Sequence, residues 1–226
     1  LIDDFKPNYA AVIFDVSRKT FRNDIYELYK ANRSAPPEDL IPQFSIIRDA
    51  TKAIGLPFVE MEGFEADDLI ATYTKIALKL KKKAIVVSSD KDLMQLVDDN
   101  TILFDPMKQL WIDDAKVFEK FGVSPNKVID VQSLAGDSSD NIPGVPGIGL
   151  KTAAELIREY GDLDQLLAGA SDIKQNKRRE NLIEFADQAI LSRSLVTLEK
   201  NVPVIFEIED FKINPILDQN KLVSFL

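Results

Sequence analysis

Two short runs of continuous apolar residues do most to limit the architectures open to this chain. Ala10-Ala11-Val12-Ile13-Phe14 ends on Asp15, and Ala84-Ile85-Val86-Val87 ends on Ser88-Ser89-Asp90. Runs of this length without alternation suit strands buried on both faces, the strands of parallel sheets covered by helices. Between them Leu69, Ile70, Tyr73, Ile76, Ala77 and Leu80 recur at three- and four-residue spacing after Glu65. That spacing predicts an amphipathic helix, and Lys79, Lys81, Lys82 and Lys83 fall where its dipole favours positive charge. The order of strand, helix and strand predicts an α/β core with a mostly parallel, twisted sheet flanked by helices. Residues 101–104 and 109–112, around Asp105-Pro106, add a hairpin to it.

Beyond about residue 120 the segments read as helices broken by Gly136, Gly144, Gly147, Gly149, Gly161 and Gly169. The chain therefore divides into an α/β core over residues 1–120 and a helical lobe over 121–226, with a glycine hairpin between helices at 140–160 and a return segment at 201–226. Within that return, residues 202–208 are expected to be extended and 215–226 to form an amphipathic helix. The chain opens on Leu1 rather than Met, which reads as a piece of a longer protein.

Two absences exclude whole classes of chemistry. The 226 residues contain no Cys and no His, so thiolate nucleophiles, disulfides, His-based triads and soft-metal sites all fall away. What remains is carboxylates, Lys, Arg, Tyr or a hard metal. The net charge of −9 gives no general attraction to nucleic acid or an anionic membrane, so any phosphate chemistry depends on local patches. No stretch approaches the ~20 apolar residues that span a bilayer.

The carboxylates gather in four clusters. Asp15 follows one apolar run and Asp90 and Asp92 follow the other, and open α/β sheets bind ligands at the carboxyl ends of their strands. Glu65, Asp67 and Asp68 lie in the first turn of the expected helix, and Asp137 and Asp140 flank Ser138-Ser139. Taken singly, each cluster reads better as a helix cap or a turn. Eight acids brought to one place would repel one another unless cations neutralised them. Oxygen ligands suit Mg²⁺ or Mn²⁺, and a pair of such ions about 3.5–4 Å apart is the usual device for phosphodiester cleavage.

The run Gly144-Val145-Pro146-Gly147-Ile148-Gly149-Leu150-Lys151-Thr152 is neither a Walker A loop, which needs Gly before its Lys, nor a dinucleotide fingerprint, whose third Gly would fall on Thr152. It reads as a tight turn opening a helix, whose N–H groups suit a nucleic-acid phosphate; a plain helix connection is the simpler alternative. Arg22, Tyr26, Tyr29, Lys30 and Arg33 are spaced to share one helix face before Pro36-Pro37. Cations interleaved with aromatics suit a single strand, though a solvated helix face fits the spacing equally. Lys174, Lys177, Arg178 and Arg179 read as solvated surface.

Taken together, Val12-Ile13-Phe14-Asp15, Thr20-Phe21-Arg22, Tyr29-Lys30-Ala31-Asn32-Arg33, Gly63-Phe64-Glu65-Ala66-Asp67-Asp68, Ser89-Asp90-Lys91-Asp92 and the long run from Gly136 to Gly149 resemble the 5′-nuclease (flap endonuclease) family. The likeness is strongest to its branch formed by the N-terminal 5′→3′ exonuclease domains of bacterial DNA polymerase I. The resemblance implies a PIN-like core and a helix-hairpin-helix lobe. It implies that Asp15, Glu65, Asp67 and Asp68 serve one metal site and Asp90, Asp92, Asp137 and Asp140 another, with two Mg²⁺ or Mn²⁺ ions and some ligands acting through water. Asp15, Arg22, Lys30 and Asp68 would be the catalytic set, and Arg22, Lys30 and Arg33, with Tyr26 and Tyr29, would line the arch that meets the 5′ strand. Gly144, Gly147, Gly149, Lys151 and Thr152 would hold duplex backbone, with K⁺ at the hairpin.

It further implies a monomer in the bacterial cytoplasm, away from membranes, acting on DNA with a 5′ end or flap and followed by polymerase domains. In the family a strand carrying a further acid precedes the part matched here, so Leu1 to Phe5 reads as the tail of the helix after that strand. Two other functions remain open at this stage: a structure-specific DNA-binding fragment without turnover, and a carboxylate-rich phosphatase for small molecules.

Overall fold

The structure is a computed structural model that describes residues 1–213 together with 223 and 225. In chain order its elements are α1 (Ile2–Phe5), β1 (Val12–Ile13), α2 (Phe21–Ile25), α3 (Gln43–Ile54), β2 (Phe58–Val59), α4 (Ala66–Lys79), β3 (Ala84–Val87), β4 (Thr101–Asp105) and β5 (Leu110–Ile112). The helices α5 (Asp114–Phe121), α6 (Val128–Ala135), α7 (Leu150–Tyr160), α8 (Leu163–Ala168), α9 (Asn176–Glu184) and α10 (Ala186–Val196) follow. No described helix is long and apolar enough to cross a membrane.

The chain forms two compact units that do not follow its order. One comprises Leu1–Phe21, Ser34–Ala77 and the segment from Glu199 onward; the other comprises Arg22–Arg33 and Leu78–Leu198.

In the first unit β1 and β2 run parallel, with Val12 opposite Phe58 and Ile13 opposite Val59. The return segment closes this unit, because Ala10 N–H donates to Phe211 O at 2.9 Å and Tyr9 bridges Lys212 in antiparallel fashion. Val59, Leu69, Tyr73, Val202, Ile208 and Phe211 make the core, with the Tyr73 and Phe211 rings edge to face at 4.9 Å. Residues 202–207 join no strand where an extended segment was expected: Val204 N–H turns back to Val202 O at 2.7 Å, and Ile208–Phe211 winds into a short 3₁₀ turn. The helix expected at 215–226 lies outside the described residues.

In the second unit β3 pairs parallel with β4, and β4 pairs antiparallel with β5, so the hairpin forms where the sequence places it. Asp105 shapes its tip by accepting from Met107 N–H at 2.9 Å and Lys108 N–H at 3.1 Å. The α/β class holds, but the strands form two small sheets among the described residues rather than one. Burial of the second run on both faces also fails: β3 is an edge strand, and while Val86 is buried, Ile85 and Val87 are exposed. The helical lobe packs α6 against both α7 and α10. There Gly136 and Gly144 bring two backbones into contact, since a Cβ on Gly144 (φ 59°) would stand 2.4 Å from Gly136 N.

Candidate active site

In the first unit, Asp15 lies just past the end of β1, and its Oδ1 accepts from Ala66 N–H at 2.7 Å, the first residue of α4. Parallel pairing of β1 with β2 and the dipole of α4 explain why this acid settles here. Arg48 braces the same place by donating to the Asp15 carbonyl at 2.9 Å and to Glu60 at 2.6 Å, with its guanidinium 5.0 Å from the centre of the Phe14 ring. Asp68 is fully buried, and its two oxygens accept from Glu65 N–H at 3.1 Å and Glu199 N–H at 2.9 Å. The first of these is half of a capping box, so Asp68 also fixes the start of α4 and ties the return segment to it. Glu65 is buried and Asp67 half-buried on the same turn.

The second unit holds the other acids, three of them in the field of one lysine, Lys91. Asp90 and Asp92 follow β3, and Asp90 Oδ1 accepts from Asp92 N–H at 2.9 Å, an Asx turn that holds both carboxylates on one bend. Asp137 is buried: its Oδ1 accepts from Ser139 N–H at 2.8 Å, and its Oδ2 lies 2.6 Å from Lys91 Nζ. Asp140, also buried, pairs with Arg33 and, at 3.6 Å, with Lys30 Nζ. The segment bearing these cations is pinned to the acid loop by Lys30 N–H donating to Asp140 O at 2.9 Å, Asn32 to Ser138 O at 2.8 Å and Asn141 to Leu28 O at 2.7 Å.

Electrostatics divides these acids. Burial, and then the Asp90 charge, push Asp92 up to about 6, although Gln132 Nε2 donates to it at 2.5 Å. Burial acts on Asp137 in the same direction, but hydrogen bonds from Lys91 and Ser139 outweigh it and hold Asp137 below the ordinary carboxylate value. Lys91 loses by burial and gains more from Asp137, Asp92 and Asp90, so its pKa is raised. Asp92 and Asp137, two carboxylates of the same unit, are thus driven in opposite directions, a mark of functional sites as well as of ion-pair networks.

The expected helix face over residues 22–33 does not form. The α2 helix stops at Ile25, and Lys30 adopts a left-handed backbone, φ 55°. Arg22 is buried instead of facing solvent: its Nε donates to Leu195 O at 2.8 Å and its Nη2 to Thr197 O at 3.0 Å, at the carbonyl end of α10. Tyr29 is buried among Ile142, Leu195 and Val196 with Tyr26 packed beside it, and Lys30 Nζ stands 5.0 Å from the Tyr29 ring centre. Core packing overrides the periodicity here.

At the glycine hairpin, Gly144 is buried, its N–H bonded to Ser192 Oγ at 3.0 Å and its carbonyl to Gln188 at 2.5 Å. Gly147 and Gly149 are exposed, and Lys151 and Thr152 follow in the first turn of α7, which has no side-chain cap. Of the five residues expected to hold backbone phosphates, Gly144 is therefore given over to packing, while the other four sit at an open helix start. No role follows from the sequence for Lys91, Gln132, Ser139 or Asn141, although Lys91, Ser139 and Asn141 lie within the motifs and Lys91 stands between two acids.

Among the described residues no three acids stand close enough, as arranged, to hold a metal ion. The donor chemistry nonetheless suits a hard divalent cation, being all carboxylate oxygen. In the second unit a cation already sits among these acids, and the buried Gln132 Oε1, on the amide that contacts Asp92, has no hydrogen-bond partner. The residues fit the group.

Residues 1–122 match the family described as "5'-3' exonuclease, N-terminal resolvase-like domain", and residues 123–219 match "5'-3' exonuclease, C-terminal SAM fold". The chain belongs to the 5′-3′ exonuclease family. It is 38% identical over 218 residues to a 5′-3′ exonuclease of Bacillus subtilis, covering 92% of this chain and 71% of that one. It is 55% identical over 222 residues to DNA polymerase I of Rhizobium leguminosarum, covering 97% of this chain and 22% of the other. The chain spans about a quarter of the length of the polymerases it matches. Among solved structures, the bacteriophage T5 5′-exonuclease with bound zinc superposes with a TM-score of 0.78 at 25% identity, over 88% of this chain and 77% of that one. The T5 enzyme is also known in a complex with DNA and metal ions, with a TM-score of 0.78 at 23% identity over the same shares of the two chains, a likeness of fold.

Proposed function

We propose that this exonuclease-family chain is a structure-specific 5′ nuclease that hydrolyses phosphodiesters at 5′ ends or flaps of duplex DNA in replication and repair, with two Mg²⁺ or Mn²⁺ ions. The observation that carries the reading is the contact of Lys30 and Arg33 with Asp140: cations suited to a DNA backbone are held on a carboxylate of the acid set. A passing phosphate would draw them off Asp140 and leave its oxygens open, which links substrate arrival to the readiness of the acids.

The residues divide the work. Asp15, Glu65, Asp67 and Asp68 would serve one ion, and Asp90, Asp92, Asp137 and Asp140 the other. Divalent cations held there supply a lowered pKa for water and offset charge on the leaving oxygen. Lys30 and Arg33 bind and orient the scissile phosphate. Arg22, tied to α10, positions the segment that carries them. Gly147, Gly149, Lys151 and Thr152 at the start of α7 grip duplex backbone without reading sequence, with K⁺ at the hairpin. The protein works as a monomer in the bacterial cytoplasm, and in the full-length protein polymerase domains follow.

One observation favours a second reading, a DNA-binding module without turnover: Asp137 and Asp140 are already engaged by cations. An end-labelled 5′-flap duplex tests both. Release of a short 5′ product with Mg²⁺ and none with excess EDTA is expected; tight binding with no release under any divalent ion would replace the first reading with the second.

A further inference from the structure

The acids of the second unit are not symmetrical in how firmly their oxygens are held. Asp137 Oδ1 takes the Ser139 N–H and hydroxyl from its own turn, contacts that move only if the backbone moves. Its Oδ2 takes the tip of a lysine side chain at 2.6 Å. The carboxylate is 4% exposed and the Lys91 side chain 39%. One partner is therefore fixed and buried, and the other is tethered by four rotatable bonds and half in solvent. The ammonium also lies within the field of Asp92 and Asp90. A cavity of about 810 Å³ opens beside it, with Ser88, Asp90, Lys91 and Ser139 on its wall, so the side chain has room to swing out.

We propose that Lys91 is the built-in counter-cation of the Asp90, Asp92 and Asp137 set, and that a divalent ion reaches these carboxylates by displacing its ammonium, so that Lys91 sets the metal affinity of this half of the site. The proposal rests on the nuclease reading above for the identity of the ion. Its physical content is a competition. Without the metal, a single positive charge offsets three neighbouring carboxylates that would otherwise repel one another. With it, a doubly charged ion takes Asp137 Oδ2, and the ammonium returns to water at the cost of one charge-assisted hydrogen bond. Lys91 thereby keeps the acid loop ordered when metal is scarce and weakens metal binding when metal is plentiful.

Mn²⁺ titration followed by the electron paramagnetic resonance of free Mn²⁺ tests this directly, on the wild type, Lys91→Met and Lys91→Arg. Lys91→Met keeps the aliphatic stem and removes the charge. It should bind Mn²⁺ about tenfold tighter at one site, in line with the loss of one charge-assisted hydrogen bond from the competing state, and its melting temperature in EDTA should fall. Lys91→Arg should bind as the wild type does or more weakly, and it controls for a folding defect. Unchanged or weaker Mn²⁺ binding by a folded Lys91→Met overturns the proposal. If the wild type cleaves flap DNA while the Lys91→Met affinity is unchanged, only the competition fails; if the wild type neither binds Mn²⁺ nor cleaves, the nuclease reading falls with it.

Discussion

Asp92→Asn is expected to make the metal-free protein more stable at pH 8 and almost unchanged at pH 4. Burial and the neighbouring Asp90 raise the Asp92 carboxyl from its ordinary 3.8 to about 6 in the folded chain. A raised acid favours its neutral form, so its ionisation opposes folding. Below the unfolded value both states are protonated and the group contributes nothing. Between 3.8 and about 6 the folded state holds a proton that the unfolded state has lost, and stability falls as pH rises. Above about 6 the full penalty is present. At about 1.4 kcal/mol for each tenfold change in proton affinity this is about 3 kcal/mol at pH 8, shrinking to under about 1 kcal/mol at pH 4. Asn keeps the Oδ1 acceptor that Gln132 Nε2 contacts at 2.5 Å and removes the charge. For a chain of this size the gain corresponds to about 6–12 °C in melting temperature. Thermal unfolding by circular dichroism in EDTA, at both pH values, reads it out. A gain below about 1 kcal/mol at pH 8, or an equal gain at both pH values, would refute the electrostatic argument. Such a penalty is what a site built to receive a cation would carry in the cation's absence.

Arg22→Ala should destabilise the chain by about 2–4 kcal/mol in urea unfolding, because two carbonyls at the end of α10 lose their charged donor inside the protein; a loss below about 0.5 kcal/mol would return Arg22 to the DNA-facing role. Gly144→Ala should misfold or lose several kcal/mol, since its Cβ would strike the Gly136 backbone at 2.4 Å, whereas Gly149→Ala, with open space around its Cβ, should fold normally. Similar stability of the two variants by thermal melting would contradict the packing described. Asp140→Asn should abolish flap cleavage while leaving duplex affinity nearly intact in a gel-shift assay, and full activity of that variant would remove Asp140 from the acid set.

What was legible in the sequence was local or repetitive. The 101–112 hairpin follows from two apolar runs around a turn, and α4 follows from its apolar spacing, ending within its cationic run. The α7 helix runs from the glycine turn to Gly161 as its capping residue. The clusters at Asp15, Glu65 to Asp68, Asp90 to Asp92 and Asp137 to Asp140 stood out because acids at strand ends and helix starts keep their spacing whatever the rest of the chain does. Continuous apolar runs, by contrast, signal burial without saying what supplies it. That is why β3 shows an open face at Ile85 and Val87 where burial on both sides was expected.

Composition and local order already set the chemistry available: hard oxygen donors with no imidazole or thiol, and two cations, Lys30 and Arg33, in one short segment. How those groups are used depends on contacts made in the folded chain. Arg22 and Tyr29 share a spacing with Lys30 and Arg33, yet the first pair is drawn inside by the carbonyls of α10 and by Ile142, Leu195 and Val196, while the second pair meets Asp140. Lys91 and Asp137 stand 46 positions apart in sequence and 2.6 Å apart in space. Periodicity describes a residue's place on its own element, whereas a pKa, an ion pair or a close backbone approach depends on distance to groups from elsewhere in the chain, which spacing along one segment does not encode.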